Sequence, residues 1–433
     1  MRVKRLPDSG VSYPSPLLEN PVYDKVHEYF VEEGDAVVVN TVINERDLVC
    51  REGETALVPK MFERAGPRDR VVFDADQVHA AIVSCGGVCP GINTIIKEIT
   101  RALERQYHVK RISGVPKGYR GIYGEAPWMK LSYDDLAESH RLGGTLLGTS
   151  RGGFDLDRIV NNINKQGVNQ LYIIGGDGTV RGAQAIADEV ERRGMRVAVS
   201  HIPKTIDNDL VVIDKSFGFD TAVEEAQRAI YAANVEVKSF PNAVGIVKLM
   251  GRSSGFIAMN ATLSSGCVDC CLIPESPFDL DKLLEFIREK ISTQNHCLVV
   301  VAEGAGQDYV GEFVKLRDAS GNRLLGDIGL FLSTKVKEYF EDVIQQEVTV
   351  KYIDPTYMVR AIPANASDNL YCTLLSHAAV HGVNAGFTAF MTGPVNGKQC
   401  YIPLSEVVGK RNAVDTRTKA YARLISSTGQ PSF

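Results

Sequence analysis

From about His79 onward, short apolar runs alternate along the chain with longer segments whose apolar residues recur every three or four positions. Residues 80–83, 171–174 and 297–302 are runs of the first kind. In residues 92–103, by contrast, the apolar side chains have the spacing that places them on one face of a helix. This alternation predicts an α/β fold of doubly wound (Rossmann-like) parallel sheets, covered by helices on both faces. Continuous apolarity is typical of such fully buried parallel strands.

Length and charge narrow the class of protein. At roughly 150 residues per domain, a chain of 433 residues predicts two or three domains. The net charge is −5 and Lys and Arg form no dense cluster, which disfavours a nucleic-acid or anionic-membrane surface. No apolar run approaches the roughly 18 residues that span a bilayer. Acidic residues such as Asp8 and Glu19 near the start are not typical of a targeting peptide, which predicts the cytosol, with the plastid less favoured.

The nine cysteines are odd in number and scattered, unlike those of a disulfide framework. Cys267 and Cys270 have the spacing of half a zinc site, but no second pair follows at ligand spacing. Their apolar neighbours favour small core residues, and a metal or redox role is the alternative.

The first 78 residues differ from the rest. Prolines at positions 7, 14, 16 and 21 predict an extended, loosely ordered arm, and residues 36–39 have the character of a weak strand. We expect this N-terminal extension to pack on the core or on a neighbouring subunit.

The first glycine-rich loop, residues 86–91, lies between an apolar run and a helical segment. Glycines let backbone N–H groups approach a phosphate, and a helix N-terminus favours negative charge. A tight turn that serves only helix–sheet packing has the same sequence, so both interpretations stay open.

The second loop, Gly175-Gly176-Asp177-Gly178-Thr179, places an acid between glycines at the end of an apolar run. Such a carboxylate can hold Mg²⁺ while the backbone lies against a nucleotide. NAD kinases and diacylglycerol-type lipid kinases carry a similar string. A glycine turn with a surface aspartate is the structural alternative.

The third loop, residues 203–210, carries side chains suited to catalysis. In an extended chain alternate side chains face the same way, so Thr205, Asp207 and Asp209 are expected to point to one side. Two carboxylates at that spacing repel each other unless a cation such as Lys204 or Mg²⁺ neutralises them. The pair suits a general base beside a metal-associated acid in phosphoryl transfer to a hydroxyl. An Asn/Asp-rich turn that caps a helix is the alternative.

The order of these loops resembles the 6-phosphofructokinases, and the flanking sequence is similar to the plant-type ATP-dependent branch of that family. The resemblance extends from about Asn20 to the last residues of the chain. Further motifs support it in residues 117–121, 147–153, 250–255, 302–304 and 352–360.

The resemblance implies that the chain transfers the γ-phosphoryl group of ATP, with Mg²⁺, to the C1 hydroxyl of fructose 6-phosphate, a step of glycolysis. Asp207 corresponds to the general base. The other implied catalytic residues are Thr205, Asp209, Arg252, Arg151 and Lys204. ATP contacts are implied for Gly86, Gly87, Tyr119, Arg151, Gly152, Gly176, Asp177, Gly178 and Thr179, with Asp177 as the metal ligand. Sugar-phosphate contacts are implied for Thr205, Ile206, Asp207, Met250, Gly251, Arg252, Glu303, Lys351, Tyr357 and Arg360.

The sequence departs from the bacterial pattern of the family at three positions. Lys351 and Ala243 stand where bacterial members have phosphate-binding arginines, which leaves a phosphate site shared between subunits open in detail. Lys204 stands where bacterial ATP enzymes have glycine, and lysine there is typical of pyrophosphate-dependent relatives.

Gly178 and Lys204 therefore point to different phosphoryl donors. Pyrophosphate users of the family carry Asp at the Gly178 position, where its charge repels the α-phosphate of a nucleotide. Two unit charges about 4 Å apart cost about 4 kcal/mol at an effective dielectric constant of about 20. Because Lys204 excludes neither donor, the residues favour ATP, with a pyrophosphate-dependent enzyme as the alternative. A non-catalytic regulatory subunit is a second alternative, although Asp177, Asp207 and Asp209 are all present.

The resemblance also implies two facing domains with the active site between them. We expect an ATP-binding domain in residues 79–218 and 359–408, a fructose 6-phosphate-binding domain in residues 219–358, and a C-terminal segment in residues 409–433. Thr221 and Glu224 fit a capping box at the start of the second domain's first helix. The family suggests homo- or hetero-tetramers and allosteric control.

Overall fold

The computed structural model describes residues 3–24, 26, 29–42, 59–311 and 324–433. Cys50 and part of the predicted N-terminal extension therefore lie outside the described residues. The chain divides into two compact units. The first comprises the described residues of Met1–Thr205, Leu210–Phe217 and Pro363–Arg411, and the second comprises those of Ile206–Asp209, Gly218–Ile362 and Asn412–Phe433.

The strands of the described residues are β1 (Lys4–Arg5), β2 (Tyr13–Pro14), β3 (Ala36–Val38), β4 (Met61–Arg64), β5 (Arg70–Val71), β6 (His79–Ser84), β7 (Arg111–Val115), β8 (Met129–Lys130), β9 (Gln170–Gly175), β10 (Ala198–Pro203), β11 (Ala243–Leu249), β12 (Cys270–Leu272), β13 (His296–Ala302), β14 (Thr349–Ile353), β15 (Phe387–Thr388), β16 (Phe390–Val395) and β17 (Lys398–Pro403). The α-helices are α1 (Pro21–Asp24), α2 (Ile92–Arg101), α3 (Tyr119–Tyr123), α4 (Tyr133–Leu136), α5 (Leu156–Gln166), α6 (Asp177–Arg192), α7 (Phe219–Lys238), α8 (Phe256–Ser265), α9 (Leu280–Gln294), α10 (Ile328–Glu338), α11 (Ala366–Asn384) and α12 (Lys419–Thr428).

A nine-stranded sheet lies at the centre of the first unit, in the order β3-β4-β17-β16-β10-β9-β6-β7-β8. The five adjacent strands from β16 to β7 are parallel. Strands β6, β9 and β10 are buried along their whole length, as their apolar sequence predicts. The strands at both edges are antiparallel and go beyond the parallel sheet that the sequence pattern predicts.

The N-terminal extension contributes to this sheet. Strand β4 pairs with β17, where Arg64 lies opposite Cys400, and β3 pairs with β4. Phe62 on β4 is fully buried in the core. The described part of the extension around these strands thus packs on the core of its own chain.

The three predicted loops begin side by side in the first unit. They follow β6, β9 and β10, which are neighbouring parallel strands, so their carboxyl ends meet at one edge of the sheet. Two backbone hydrogen bonds link the loops: Cys85 N–H to Ile174 C=O and Lys204 N–H to Gly175 C=O, each 2.9 Å. This edge is where an α/β sheet binds its ligand.

The second unit is built on a parallel four-stranded sheet in the order β12-β13-β11-β14. The loops after β11, β13 and β14 carry six of the predicted sugar-phosphate residues at the carboxyl edge, namely Met250, Gly251, Arg252, Glu303, Tyr357 and Arg360. Lys351 lies within β14 itself. Helix α7 begins at Phe219 after Gly218, whose φ of 88° is left-handed. The predicted capping box at Thr221 is therefore wrong, because Thr221 already lies inside the helix.

The C-terminal residues close one edge of this smaller sheet. Strand β12 is the outer strand, and the Gln430 side chain pairs with the backbone of Cys271 in both directions. Cys271 N–H donates to Gln430 Oε1 (2.8 Å), and Gln430 Nε2 donates to the Cys271 carbonyl (3.1 Å). The side chain of Gln430 thus takes the place of a strand residue.

The eight cysteines of the described residues are free thiols. Cys270 is fully buried in the core of the second unit, which agrees with the interpretation as a core residue. No group of three His, Cys, Asp or Glu side chains in the described part of the chain is arranged to hold a metal ion. Within that same part, none of the helices is both long and apolar enough to span a membrane.

Candidate active site

The loop after β6 holds a buried cation. Lys204 is 6% exposed, and its ammonium donates a hydrogen bond to the Gly87 carbonyl (2.8 Å). Gly86 has a φ of 87°, and a Cβ there would lie 3.5 Å from Lys204 Nζ. Helix α2 follows with Gly91 as its N-cap, and this residue supplies no side-chain cap. The loop therefore combines a positive charge with backbone donors, which is the chemistry of an anion site.

The loop after β9 requires a glycine at its first position. A Cβ on Gly175 would collide with the side chain of Thr179, so no larger residue fits. Gly176 is the N-cap of α6 and supplies no side-chain cap. The start of this 16-residue helix thus presents backbone N–H groups without a side-chain cap from Gly176, and the positive end of its dipole.

Asp177 is the first residue of α6 and lies between two guanidinium groups. Arg181 is 3.0 Å from its Oδ2, and Arg411 is 3.4 Å from the same oxygen. The arginines bring positive charge to the start of a helix that already favours anions. One carboxylate in this setting fits a Mg²⁺ ion whose other ligands are phosphate oxygens and water.

Gly178 and Tyr119 have opposite surroundings. Gly178 is exposed, and a Cβ added to it would meet nothing within 4 Å. Tyr119 is 6% exposed, and its hydroxyl donates to the Thr179 carbonyl (2.8 Å). Tyr119 therefore supports the loop from the protein interior, and its predicted contact with ATP stays a prediction.

The segment that carries Arg151 lies against the first loop. Gly86 N–H donates to the Ser150 carbonyl (3.1 Å), and Thr149 Oγ1 donates to the Gly86 carbonyl (2.6 Å). Arg151 and Gly152 are exposed beside these contacts, and Gly152 has a left-handed φ of 71°. The structure thus brings the predicted Arg151 to the Gly86 loop.

The Asp207 segment differs from the extended geometry that the sequence pattern predicts. The backbone bends at residues 206–207, and Asn208 has a φ of 55°, in the left-handed region. The alternation of exposure is nevertheless kept, since Thr205, Asp207 and Asp209 are partly exposed whereas Ile206 and Asn208 are buried. The buried Ile206 side chain leaves only its backbone for the predicted substrate contact.

The loop after β11 depends on close backbone contacts in the second unit. Gly251 has a φ of 134°, and a Cβ there would lie 2.5 Å from the Ser254 carbonyl. A Cβ on Gly304 would collide with the Arg252 carbonyl. Glu303 N–H donates to the Leu249 carbonyl (2.8 Å). These contacts hold Arg252 and Glu303 at the ends of neighbouring strands, where Met250 is also partly exposed.

Glu303 is a half-buried carboxylate among cations. Burial raises the pKa of its carboxyl, and the positive charges of Arg252, Lys248 and Arg360 offset part of that shift. The arrangement supplies an acceptor for sugar hydroxyls beside guanidinium groups that suit a phosphate.

Lys248 is a residue of this site that the sequence pattern does not single out. Its ammonium lies 2.9 Å from both Asp327 and Asp354, and Tyr352 donates to Asp327 (2.8 Å). Burial disfavours the charged ammonium, but hydrogen bonds with Asp354, Tyr352 and Asp327 outweigh it, so the pKa of Lys248 lies above its usual range. The sequence feature that could have indicated Lys248 is the presence of a lysine in the otherwise apolar strand β11.

Tyr357 and Arg360 lie together in the loop after β14, whereas Lys351 lies within that strand. Tyr357 is 73% exposed, and the Arg360 guanidinium lies 5.3 Å from the centre of its ring. The Lys351 ammonium pairs with Glu236 (2.8 Å) and lies 4.0 Å from the ring centre of Phe240. Within one chain Lys351 therefore contacts α7 and Phe240, two residues beyond the end of that helix, and its role toward substrate stays a prediction.

The chain is similar to known proteins over most of its length. The model of the phosphofructokinase family matches residues 79–383. The chain belongs to the phosphofructokinase family. Two relatives from Arabidopsis thaliana are ATP-dependent 6-phosphofructokinase 4, chloroplastic, with 55% identity, and ATP-dependent 6-phosphofructokinase 1, with 53% identity. The matches cover 99% and 98% of this phosphofructokinase and 80% and 88% of the relatives.

The fold of this phosphofructokinase is also found in solved structures. A pyrophosphate-dependent phosphofructokinase from Nitrosospira multiformis matches with a TM-score of 0.69 and 20% identity. The match covers 82% of this chain and 93% of that one. A likeness at this level of identity supports the architecture and leaves the phosphoryl donor to the residues of the site.

Proposed function

We propose that the chain is an ATP-dependent 6-phosphofructokinase, which converts fructose 6-phosphate and ATP to fructose 1,6-bisphosphate and ADP. The observation that carries this proposal is the set of groups at the carboxyl edge of the first unit's sheet. Two helices begin there after glycine loops, each with an N-cap glycine that supplies no side-chain cap, and the buried ammonium of Lys204 donates to the first of these loops. A triphosphate matches this set of backbone donors and cations. The names of the Arabidopsis relatives support the same activity.

Magnesium belongs to the proposal as the partner of the triphosphate. The single carboxylate of Asp177 suits an ion that keeps phosphate oxygens and water as its other ligands. When bound, Mg²⁺ would neutralise negative charge on the phosphoryl group that is transferred. Arg151, exposed beside the Gly86 loop, would add positive charge in the same region.

The second unit would bind the sugar phosphate. Glu303 is a hydroxyl acceptor, and Arg252 and Arg360 are the guanidinium groups close enough to influence its pKa. The proposed general base is Asp207, which would accept the proton of the C1 hydroxyl as the phosphoryl group is transferred. Thr205 and Asp209 are partly exposed on the same segment and complete the proposed catalytic set.

The donor is proposed from Gly178. Its surroundings are open, so a nucleotide would meet no side chain at this position. Lys204 is the observation that favours the alternative, a pyrophosphate-dependent enzyme, since its cation serves either donor. A regulatory subunit without activity is a further alternative, but the carboxylates of Asp177 and Asp207 are retained.

A coupled assay with fructose 6-phosphate separates these proposals. We expect turnover with ATP and Mg²⁺ and little with pyrophosphate. Turnover with pyrophosphate alone would overturn the choice of donor, and no turnover with either donor would favour the regulatory alternative.

Assembly and compartment are proposed from the family. A homo- or hetero-tetramer is expected, and sedimentation or light scattering of the purified protein measures its size. Allosteric control also stays a prediction.

The cytosol is the proposed compartment, although the first of the two Arabidopsis relatives is described as chloroplastic. Imaging of a C-terminal fluorescent fusion in plant cells distinguishes the cytosol from the plastid.

A further inference from the structure

The backbone of the Asp207 segment accepts hydrogen bonds from residues that are distant in sequence but lie in the same second unit. Ser254 Oγ donates to the Asp207 carbonyl (2.8 Å). The Asn412 backbone N–H donates to the Asp209 carbonyl (2.8 Å), and its side-chain amide donates to the Asn208 carbonyl (3.3 Å). The carbonyl groups of three consecutive residues, Asp207, Asn208 and Asp209, therefore have partners.

Glu275 links these two partners to each other. Its carboxylate accepts from Gly255 N–H through both oxygens (2.9 and 3.0 Å) and from Val414 N–H (2.7 Å). Gly255 directly follows Ser254, and Val414 lies two residues after Asn412. A Cβ on Gly255 would lie 2.9 Å from Glu275 Oε2, so the glycine permits the close approach. The result is a hydrogen-bonded ring through Ser254, Gly255, Glu275, Val414 and Asn412 that closes on the Asp207 segment.

Local sequence alone does not fix this segment. It has bends at residues 206–207 and a left-handed residue at Asn208, and it belongs to no helix or strand of the structure. A catalytic group has to be held within about 0.5 Å of its productive position, which requires support from surrounding hydrogen bonds. A misplacement of about 1 Å can cost roughly 10²-fold in rate.

We propose that Ser254, Asn412 and Glu275 are positioning residues for Asp207, an inference that rests on the proposed kinase function. Ser254 and Asn412 hold the backbone from the Asp207 carbonyl to the Asp209 carbonyl, and Glu275 holds the segments that carry them. Together they set the direction in which the Asp207 carboxylate points. The segment that begins at Asn412 thereby takes part in turnover although none of its side chains needs to contact a substrate.

The experiment uses Ser254→Ala and Asn412→Asp, each in the parent chain and in an Asp207→Asn chain. Asn412→Asp keeps the shape of the side chain but cannot donate to the Asn208 carbonyl. The matched control is Ser292→Ala, which removes an exposed hydroxyl that donates to the Glu289 carbonyl (2.8 Å) in the same unit. Thermal unfolding of each variant shows that it is folded.

In the parent chain we expect kcat to fall about tenfold or more for both variants, with the KM values for ATP and fructose 6-phosphate within about twofold. In the Asp207→Asn chain we expect Ser254→Ala and Asn412→Asp to cause no further loss, because they act through Asp207. This absence of a further loss is a result that a merely structural role does not produce.

Two results would overturn the inference while the proposed function stands. One is an active parent whose variants behave like Ser292→Ala, and the other is an equal loss of kcat in the Asp207→Asn chain. A parent without activity toward fructose 6-phosphate would overturn the proposed function, and the inference with it.

Discussion

The ammonium of Lys204 donates a 2.8 Å hydrogen bond to the carbonyl oxygen of Gly87, so the first and third loops of the site share one buried charge. Gly178 lies in the second loop, with open space beside it. The two positions that bear on donor choice therefore belong to different loops and can be changed one at a time.

Lys204→Met keeps a long apolar side chain and removes the charge. We expect kcat with ATP to fall about 10²-fold, since one donor aimed at developing negative charge contributes roughly 10²–10³ in rate. Steady-state kinetics measure it, with Lys335→Met as a control that removes a surface ion pair with Glu338 (2.7 Å). An unchanged kcat would show that Lys204 only supports the Gly86 loop.

Gly178→Asp adds a carboxylate where the backbone has room for one. We expect loss of ATP use, because about 4 kcal/mol of repulsion corresponds to roughly 10³-fold in affinity. Gly311→Asp is the matched control, since a Cβ there also meets nothing within 4 Å. Retained ATP activity in Gly178→Asp would contradict the argument on donor choice.

Asp207→Asn preserves the shape of the side chain and removes its ability to take a proton. We expect kcat to fall by about 10²–10⁴ with little change in the KM for fructose 6-phosphate. The exposed Asp281→Asn in α9 serves as the control. If kcat in Asp207→Asn matched that of the control, another group would have to be the base.

Lys248→Met removes the cation that joins Asp327 to Asp354. We expect the free energy of unfolding to fall by about 1–2 kcal/mol. This value is near the low end of the range for hydrogen bonds with charged groups, because both carboxylates are more than a third exposed and solvent screens the pairs. The KM for fructose 6-phosphate should also rise, since Asp354 begins the loop that carries Tyr357 and Arg360. Thermal unfolding and kinetics measure the two effects, and Lys335→Met is again the control.

The same cluster predicts a dependence of stability on pH. Burial raises the pKa values of Asp327 and Asp354, but hydrogen bonds that include Lys248 outweigh it and leave both pKa values below the ordinary value of 3.8. Groups with a lowered pKa stabilise the fold above that value and lose their contribution as the pH falls below it. We therefore expect the gap in melting temperature between the parent chain and Lys248→Met to stay constant from pH 7 to about pH 5. Below about pH 4 the gap in melting temperature should narrow, and a gap at pH 3 as wide as the gap at pH 7 would contradict the assignment.

The sequence pattern predicts the parallel strands well because burial on both faces leaves a continuous apolar run, as in β6 and β9. It does not predict the antiparallel edge, where Arg64 pairs with Cys400, because no periodicity connects residues so far apart. It also misplaces the start of α7, since the left-handed conformation of Gly218 ends the preceding loop earlier than the capping pattern at Thr221 suggests.

Within the site, the sequence predicts residues whose type is dictated by backbone geometry. Gly175 of the second loop and Gly251 are examples, since a Cβ at either position would collide with its neighbours. The pattern fails where a partner is remote: Lys248 meets Asp327 across the fold, and nothing near Asp207 in the sequence indicates that Asn412 fixes its backbone. Left-handed Asn208 likewise breaks the extended geometry that alternate exposure suggests.

The pairing of the Gln430 amide with Cys271 also bears on solubility. Unpaired N–H and C=O groups along an outer strand recruit strands from other molecules, and a side chain that occupies them blocks such recruitment. Removal of the last four residues would reopen this part of β12, so a shortened chain would be prone to self-association even with its catalytic groups intact.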